Sequence, residues 1–548
     1  MHPSTLAKRV SILLCLAIVA FYFYGLGLLP LLGPDEPRYA QVAREMLLRG
    51  DLITPTLGGH TWFEKPALLY WMMIAAFKAF GVSEWSARLG PALSGLLTIA
   101  AVWCVGREIE RTSSTDGISG FGFWSALAAA TSFGVIVFSR GASFDIVITM
   151  TTTWSLSFFL LHEVARVPRS KTIFLVGFYA LVGLSLLAKG LVGIVIPFGV
   201  VTLYYLLRRE LPPRRVWLSL IWGVPVALAV SSIWYGPVIY RHGWQFIDQF
   251  FIQHHFARYV SNKYHHAQPV YFYLLILAPL TLPWSAFLFD GIAAIRDWYL
   301  QDLDSLSKTR VFSLAWLLLP ILFFSFSGSK LPGYILPVLP AASLIVGERL
   351  ARLVSTSTRR NWPLQATGII CLILGVGALV YTWRSTLLSL RCGVLIALPL
   401  FVAGFFAVVW SRFRRNSVVL VAWAMLATTV ILLHCGAQSL AQRESVRDLL
   451  KLADARGYAH VPVFARRDGD RTAEFYASGR VVYGADGEVV NLDEVGQMLG
   501  EARRRGESIL VLLPVEALSD LNQRHIPELD VIGTNGRVAL VAVKAMHI

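Results

Sequence analysis

Acidic and basic side chains that could act on a charged substrate are concentrated in a few short segments between apolar runs. Asp35 and Glu36 are adjacent in LLGPDEPRYAQVAREMLLRG, directly after the first apolar run. Two carboxylates at a bilayer surface are costly to keep there unless they have a function. Such a pair suits general acid–base chemistry or the orientation of a polar substrate. The structural alternative is helix capping, since Asp is a good N-cap residue, but capping would explain only one of the two.

Three further segments carry candidate residues of the same kinds. Glu64 and Lys65 lie in WFEKPALLYW, where the lysine could bind a phosphate and the glutamate could pair with it or bind a metal ion. The alternative is an ordinary surface ion pair. Asp145 in SFDIVITM begins an apolar run, and N-capping is its alternative role. Lys330 and Tyr334 in GSKLPGYILP could both reach a lipid phosphate.

The segment QHHFARYVSNKYHHAQP contains four histidines and two cations. Imidazole groups together with a glutamate suit zinc or another divalent ion, although the histidine spacing matches no tight metal-binding motif. Arg258 offers a planar fork that can bind two phosphate oxygens at once. The segment is therefore a candidate for phosphate binding and for metal binding.

The composition requires that these segments be held by membrane-spanning helices. Of the 548 residues, 55% are hydrophobic and 15% are charged, against about 25% charged in soluble domains. The net charge of +15 could suggest nucleic acid, but the basic residues cluster between apolar runs, as the positive-inside rule requires. The five cysteines form no C-x-x-C pair, so they are interpreted as small core residues without a disulfide framework or a cysteine metal site.

Apolar runs of about 20 residues, the length that crosses a bilayer, indicate about thirteen spanning helices. The fold class is therefore mainly α, a polytopic membrane protein with interfacial helices on its periplasmic side. The segment 66–81 is apolar but short, and is predicted to lie along the membrane interface. The approximate cores of the spans are 10–30, 86–106, 119–138, 145–161, 172–188, 190–207, 216–239, 269–289, 311–328, 332–348, 363–383, 393–411 and 417–434.

Basic clusters alternate from side to side, which orients the chain with its N-terminus in the cytoplasm. The opposite face, the periplasm of a bacterium, then receives residues 31–85, the turns near 139–144, Lys189 and 329–331, the 240–268 loop and the C-terminal tail. The helix cores contain almost no charged residues, whereas transporters place ionisable groups near the midplane. The candidates gather at the periplasmic helix ends, which suits chemistry on an anionic lipid headgroup. This places the protein in the inner membrane with a periplasmic active site.

Residues 436–548 differ in character from the rest. Strand-like runs such as VPVFA, SILVLLP and VALVAVK alternate with helical patterns. The prediction is a transmembrane domain at 1–435 and a periplasmic α/β domain at 436–548, of ordinary domain size. No catalytic motif is recognisable in the second domain, which is interpreted as a cap or scaffold.

The motifs PDEPRYA, FEKPALLYW and KLPGYILP, in this order and spacing, resemble those of the bacterial aminoarabinose transferases of lipid A. More broadly, they resemble the C-type glycosyltransferases that include protein O-mannosyltransferases. The resemblance covers roughly residues 10–430 and implies a donor sugar on undecaprenyl phosphate. It also implies that Asp35 is at the catalytic acidic position, that Lys65, Arg258 and Tyr334 bind the donor phosphate, and that Glu64 and His255 can hold a metal ion.

These observations predict an inverting, lipid-linked glycosyltransferase. Asp35, Glu36 and Asp145 are the candidate catalytic residues, and Lys65, Arg258, Tyr334 and Lys330 are the candidates for binding the leaving phosphate. The expected partners are a polyprenyl-phosphate sugar donor, a lipid or protein acceptor and the bilayer, without nucleic acid. No nucleotide-binding glycine motif is evident, and a divalent ion such as Zn or Mg is the expected cofactor. The alternatives are a protein O-glycosyltransferase of the same fold and a lipid or sugar transporter.

Overall fold

The computed structural model is mainly helical and divides into two compact units. One unit comprises Met1–Tyr24, Phe63–Leu69 and Arg88–Leu432, and the other comprises Gly25–Trp62, Tyr70–Ala87 and Leu433–Ile548. The residues that the structure describes are 15–113, 117–257, 268–295, 304–355, 361–385, 387–410, 413–466, 470–518 and 526–545, without the side chains of 255–257.

Nine helices in the described part of the chain are long and apolar enough to cross a membrane. A bent pair with a 59° break, Phe121–Thr131 and Phe133–Ser139, would make a tenth. Most of these helices belong to the first unit. The nine are Glu84–Thr112, Phe144–Val164, Pro168–Lys189, Arg214–His254, Ser305–Ser325, Pro332–Ser355, Trp362–Arg384, Leu390–Val409 and Arg414–Cys435.

The nine helices coincide with nine of the thirteen predicted spans, and the other four are shorter or interrupted. The span predicted at 119–138 is the bent pair, and that at 190–207 is the 17-residue helix Val192–Arg208. The span predicted at 269–289 consists of two short helices, Phe272–Leu280 and Ser285–Ala293. The first, at 10–30, lies partly outside the described residues. The polytopic fold is thus confirmed, and the number thirteen stays a prediction.

Burial separates inner helices from outer ones. The apolar windows of Phe144–Val164 and Pro332–Ser355 are 78% and 89% buried, whereas that of Trp362–Arg384 is only 28% buried. On this outer helix, apolar side chains that are about half exposed recur every three or four residues, at Ile369, Ile373, Val376 and Val380. An apolar stripe at that spacing is what a lipid-facing helix presents. The candidate residues Asp145 and Tyr334 therefore belong to the two most enclosed elements. The second of these begins as a 3₁₀ helix, Pro332–Val338, and continues as Leu339–Ser355.

The second unit begins with the segment that carries the acidic pair. Asp35–Arg49 is a helix, and it is followed by the two-stranded hairpin Thr56–Leu57 and His60–Thr61. The apolar segment predicted at 66–81 forms the 13-residue helix Leu68–Phe80. Further along the chain are the helices Ala437–Arg443, Arg447–Ala453, Ala473–Tyr476 and Val495–Arg505, and the π-helix Asp454–Tyr458.

A four-stranded mixed sheet forms the core of the C-terminal part of this unit. Its strand order is Val463–Ala465, Ile509–Pro514, Val538–Val543, Leu529–Thr534, and only the first pair is parallel. Alternate residues enter opposite cores: Leu510 and Leu512 pack in one cluster, and Ile509 and Val511 in another. A strand buried on both faces reads as a continuous apolar run, which is why SILVLLP and VALVAVK are uninterrupted. The small α/β domain is thus confirmed, and its boundary at 435/436 stays a prediction.

Two of the five cysteines correct the sequence-based interpretation. Cys392 and Cys435 are disulfide-bonded, so the expectation that the chain lacks a disulfide is wrong. Cys15, Cys104 and Cys371 are free thiols. The two bonded residues lie 43 positions apart, at the start of Leu390–Val409 and at the end of Arg414–Cys435. No sequence motif identifies such a pair, because the two cysteines are far apart in the chain.

Candidate active site

Asp35 and Glu36 occupy the first turn of the helix Asp35–Arg49. The residue that precedes the helix is Pro34, and no side chain caps the helix there. Capping is therefore not the role of Asp35, whose side chain is exposed. Glu36 accepts a hydrogen bond from the backbone N–H of Leu32, at 2.8 Å. The two carboxylates thus have different environments: Glu36 ties the entering chain to the helix start, and Asp35 is open to a reactant.

The hairpin after this helix is attached to it through Glu45. The Glu45 carboxylate accepts hydrogen bonds from the backbone N–H groups of Gly58 and Gly59, at 2.8 and 3.2 Å, and from the Thr56 hydroxyl at 2.7 Å. Both glycines have positive φ, 60° and 82°, as a type I′ hairpin turn requires. The chain between the acidic pair and Glu64 therefore has a defined course and is not a loose loop.

Glu64 and Lys65 form a direct ion pair in the first unit. The Lys65 ammonium is 3.0 Å from Glu64 Oε1, and the side chains are 13% and 12% exposed, respectively. A pair this enclosed keeps the ammonium partly desolvated, which strengthens its attraction for an incoming anion. The two predicted roles of Glu64 compete, since the same carboxylate that could bind a metal ion neutralises the lysine.

Asp145 and Lys189 form a second enclosed ion pair, although they are 44 residues apart in the chain. Ser143, not Asp145, caps the helix Phe144–Val164: its hydroxyl accepts from the Asp145 backbone N–H at 3.1 Å. The Asp145 carboxylate therefore remains available, and it accepts from Lys189, the last residue of the neighbouring helix Pro168–Lys189. The N-capping alternative for Asp145 is thus wrong in this structure.

Tyr334 completes this second group. The Lys189 ammonium lies 4.8 Å from the centroid of the Tyr334 ring, within the range of a cation–π contact. Gly333 makes the close approach possible, because a Cβ there would lie 2.1 Å from Asp145 Oδ2. In the segment KLPGYILP, Gly333 thus leaves room for the Asp145 carboxylate, and the Tyr334 ring packs against Lys189.

The remaining residues of that segment are bound locally. Lys330 is buried, and its ammonium donates to the backbone carbonyl of Ser327 at 2.8 Å. Tyr273 donates to the backbone carbonyl of Leu331 at 3.2 Å and so fixes the chain just before the 3₁₀ helix. For Lys330 to bind a phosphate, its ammonium must exchange or share this carbonyl.

Two predicted site residues lie outside what the structure describes. These are Arg258 and the side chain of His255. Among the described residues, no group of three His, Cys, Asp or Glu side chains is arranged to hold a metal ion, and Glu64 is engaged by Lys65. The metal site at Glu64 and His255 therefore stays a prediction.

Two features of the site are not among the residues predicted from the sequence. Lys189 is recognisable as a cation at a helix end, but its pairing with Asp145 depends on how two helices pack. The Gly58–Gly59 turn that Glu45 holds does have a recognisable signal, since two glycines between short strands are typical of a tight hairpin.

Each of the two units contributes described side chains of kinds that a transfer reaction at a phosphate uses. Asp35 is an exposed carboxylate at a helix start, Lys65 is a partly desolvated cation, and Asp145 and Lys189 are an enclosed acid–cation pair beside a phenol. A cation of this kind stabilises the charge that develops on a leaving phosphate, and a carboxylate can accept a proton or stabilise a cationic sugar.

Known proteins share this sequence and fold. The model of the dolichyl-phosphate-mannose-protein mannosyltransferase family matches residues 9–260. The undecaprenyl phosphate-α-4-amino-4-deoxy-L-arabinose arabinosyl transferase of Pseudomonas paraeruginosa is 30% identical over 550 residues, which cover 93% of this chain and 94% of that protein. Arabinosyl transferase 2 of Pseudomonas fluorescens Pf-5 is 30% identical over 378 residues, 69% of this chain and 62% of that protein, which is less than two thirds of its length.

A solved structure agrees with these relatives. The crystal structure of ArnT from Cupriavidus metallidurans bound to undecaprenyl phosphate has a TM-score of 0.80 and 25% sequence identity, over 98% of both chains. The similarity thus includes the membrane helices as well as the C-terminal domain, which the motif resemblance did not cover. The chain belongs to the undecaprenyl phosphate-α-4-amino-4-deoxy-L-arabinose arabinosyl transferase family, and it is an integral membrane glycosyltransferase and not a transporter.

Proposed function

We propose that the protein transfers 4-amino-4-deoxy-L-arabinose from undecaprenyl phosphate to lipid A on the periplasmic face of the inner membrane. The observation that carries this proposal is the similarity to an arabinosyl transferase over nearly the whole length of both chains. Because the C-terminal domain is included, the proposal does not rest on the membrane motifs alone, which the wider superfamily shares.

In the proposed reaction, the bond between the anomeric carbon and the phosphate oxygen of the donor breaks. An acceptor oxygen forms the new bond from the opposite face, so the α-linked donor gives a β-linked product. Undecaprenyl phosphate leaves with the bonding electron pair. Lys65, with Arg258, Tyr334 and Lys330 as further candidates, binds this phosphate and stabilises its developing charge.

Asp35 is assigned a role that depends on the acceptor. If the acceptor is a hydroxyl group, Asp35 takes its proton as a general base. If it is a phosphate of lipid A, which is already ionised, Asp35 instead orients the sugar or stabilises positive charge at the ring. Asp145 is assigned to the same positioning role, with Lys189 as its ion-pair partner.

The periplasmic placement rests on charge and on cysteine chemistry. The basic loops lie on the opposite side of the predicted spans from Asp35, Lys65 and Lys189. Cys392 and Cys435 are disulfide-bonded, and disulfide bonds persist in the periplasm but are rare in the cytosol. Both cysteines lie at helix ends that the basic-loop pattern assigns to the periplasm.

A second candidate function is transfer of a sugar to a protein. The match of the protein mannosyltransferase family model to the first half of the chain favours it. The two functions share the donor chemistry and differ in the acceptor.

The test is a transfer assay with purified protein in lipid nanodiscs. Undecaprenyl phosphate-linked aminoarabinose and lipid A are supplied, and mass spectrometry measures the modified lipid A and the released undecaprenyl phosphate. We expect one molecule of undecaprenyl phosphate per sugar transferred, and a β-linkage by NMR. Folded protein that leaves lipid A unmodified but labels an added envelope protein fraction would support protein glycosylation instead. Metal analysis of the same preparation tests the divalent ion predicted at Glu64 and His255.

A further inference from the structure

A short helix of the C-terminal domain contacts the helix that carries the acidic pair. The short helix is Ala473–Tyr476, and each of its last three residues makes a polar contact to the segment around Asp35. Tyr476 accepts a hydrogen bond from the Leu31 backbone N–H at 2.7 Å. The carbonyl of Phe475 accepts from the Arg44 guanidinium at 2.8 Å, and Glu474 lies 3.6 Å from Arg38 Nε.

These contacts lie on both sides of Asp35 and Glu36. Leu31 precedes the helix Asp35–Arg49, and Arg38 and Arg44 lie one and nearly three turns into it. A hydrogen bond before the helix and two contacts along it restrict both its sliding and its rotation. The Arg44 guanidinium also stacks on the Phe475 ring, 4.1 Å from the centroid. Arg44 is partly buried, and this burial lowers the pKa of its guanidinium to about 10.

Glu474 is the centre of the arrangement. The residue is only 2% exposed, and its carboxylate lies between Arg38 and Arg471, at 3.6 and 3.0 Å. A buried carboxylate is an expensive way to stabilise a domain, since apolar residues of similar size usually do so better. Its charge and its direction therefore call for a role other than stability.

Tyr476 extends the attachment to another part of the same unit. Its hydroxyl donates to Glu84 Oε1 at 3.1 Å while accepting from Leu31. Glu84 in turn is 3.3 Å from Arg447. Tyr476 and Glu84 thereby join three parts of this unit: the start of the helix Glu84–Thr112, the segment before Asp35 and the C-terminal domain.

We propose that the C-terminal domain positions the acidic helix through Ala473–Tyr476, with Glu474 acting on Arg38 as a positioning residue. The consequence for catalysis rests on the proposed function, because it requires Asp35 to act in sugar transfer. The domain is then part of the active-site machinery without contributing a group that touches substrate. A misplacement of about 1 Å can cost about a hundredfold in rate.

The first test is Glu474→Gln, which keeps the shape of the side chain and removes its charge. We expect turnover of the donor to fall about tenfold or more, with unchanged affinity for undecaprenyl phosphate, because Glu474 touches no substrate. The matched control is Glu501→Gln: Glu501 also bridges two arginines of the same domain, Arg504 and Arg505, but both lie on its own helix Val495–Arg505. The control should keep wild-type turnover.

The second test needs no activity and so separates this proposal from the proposed function. Hydrogen–deuterium exchange of the intact protein should become faster across residues 31–49 in Glu474→Gln. The strand Ile509–Pro514 should stay as protected as in wild type, which shows that the domain remains folded. If the wild-type protein transfers no sugar but the exchange result holds, the positioning contact is supported and only the proposed function fails.

The third test is a double-mutant cycle with Arg38→Gln. If Glu474 acts through Arg38, the double variant should be no slower than the slower single variant. Strictly additive losses would overturn the proposal, and so would unchanged exchange at residues 31–49. Equal loss of protection across the whole domain would also overturn it, since Glu474 would then be a residue of general stability.

Discussion

Asp35 and Glu36 show how adjacent residues of the same chemical type can have different functions. The Glu36 carboxylate is used by the Leu32 backbone, whereas Asp35 is exposed at the helix start, and Pro34, not Asp35, precedes the helix. Successive side chains of a helix diverge by about 100°, so the two carboxylates cannot address the same atom. Asp35 is therefore the better candidate for the reacting centre.

Asp35→Asn should yield a folded protein that transfers sugar at least about a hundredfold more slowly, the range expected for loss of a general base. Asn keeps the size of the side chain and removes its charge and basicity. Glu36→Gln should have a milder effect, because the amide oxygen can still accept from Leu32. Initial rates of sugar transfer measure both variants, with donor binding as the check on folding. Wild-type transfer by Asp35→Asn would show that the mechanism proposed here is wrong.

Lys65 is the described cation that we assign to the donor phosphate, and its side chain is 13% exposed. Lys65→Ala removes a charge-assisted contact worth about 1.5–3 kcal/mol, so donor turnover should fall at least about tenfold. Lys78→Ala is a suitable control, since Lys78 is an exposed lysine near the end of the helix Leu68–Phe80. If both variants turn over donor at the wild-type rate, Lys65 is only the ion-pair partner of Glu64.

At the scale of elements, the hairpin at 56–61 links the acidic helix to Glu64 and Lys65. Its turn lies against the C-terminal domain: a Cβ added to Gly58 would lie 2.2 Å from Tyr483 Cδ2, whereas one added to Gly59 meets no atom within 4 Å. Both glycines have positive φ, which costs a residue with a side chain about 1–2 kcal/mol. The two positions therefore differ in steric contact and share the same backbone requirement.

Gly58→Ala should lower the thermal unfolding midpoint more than Gly59→Ala does, because only the first adds a clash to the backbone strain. Turnover should fall further in Gly58→Ala for the same reason. Differential scanning fluorimetry in detergent measures the midpoints. Equal destabilisation by the two variants would mean that the Tyr483 ring moves aside at little cost, and that the hairpin is not held by the C-terminal domain.

The buried carboxylate of the short helix Ala473–Tyr476 makes a pH-dependent contribution to stability. Burial raises the pKa of Glu474 above its ordinary value of 4.5, against the opposing effect of Arg38 and Arg471. Tyr483 also interacts electrostatically with Glu474. A carboxyl group whose pKa is higher in the folded state binds its proton more tightly there, so its contribution to stability falls as the pH rises from about 4.5 through the raised value.

Glu474→Gln lacks this titration. The difference in midpoint temperature, variant minus wild type, should therefore increase as the pH rises through that window, whatever its sign at the start. Scans of both proteins between about pH 4 and pH 7 measure it. A difference that stays constant with pH, or falls, would show that the pKa of Glu474 is not raised in the folded protein.

Much of the element level could be predicted from the sequence, because hydrophobic length and basic loops are local signals. Nine long helices and the α/β character of the last 110 or so residues follow from the pattern of apolar residues along the chain, whereas the interfacial placement of 66–81 stays a prediction. The pairing of Asp145 with Lys189 could not be predicted, because it depends on how two helices pack. The contacts of Leu31, Arg38 and Arg44 with 473–476 join positions more than 400 residues apart, so no periodicity or spacing could indicate them.

At the scale of the whole molecule, two independent kinds of chemistry predict the same orientation. Lys and Arg residues accumulate in loops on one side of the predicted spans, which predicts that this side is cytoplasmic. The disulfide-bonded Cys392 and Cys435 lie at helix ends assigned to the other side. The charge of the loops acts during membrane insertion, and cysteine oxidation acts afterwards. The two signals are therefore independent evidence for the same orientation.

A reporter fusion and thiol labelling test this orientation. A reporter enzyme that is active only in the periplasm, fused after Ile548, should be active. In unreduced, denatured protein a thiol reagent should label Cys15, Cys104 and Cys371, and it should label Cys392 and Cys435 only after reduction.

The two measurements can fail separately. An inactive reporter on a stable, full-length fusion would place the C-terminal domain in the cytoplasm. Sugar transfer at the periplasmic face and the positioning role of Ala473–Tyr476 could then not operate as proposed. Ready labelling of Cys392 and Cys435 beside an active reporter would remove the disulfide and leave the placement to charge alone. The expected pair of results, an active reporter and two protected thiols, would place the C-terminus and both bonded cysteines on the periplasmic side that the basic-loop pattern predicts for Asp35, Lys65 and Lys189.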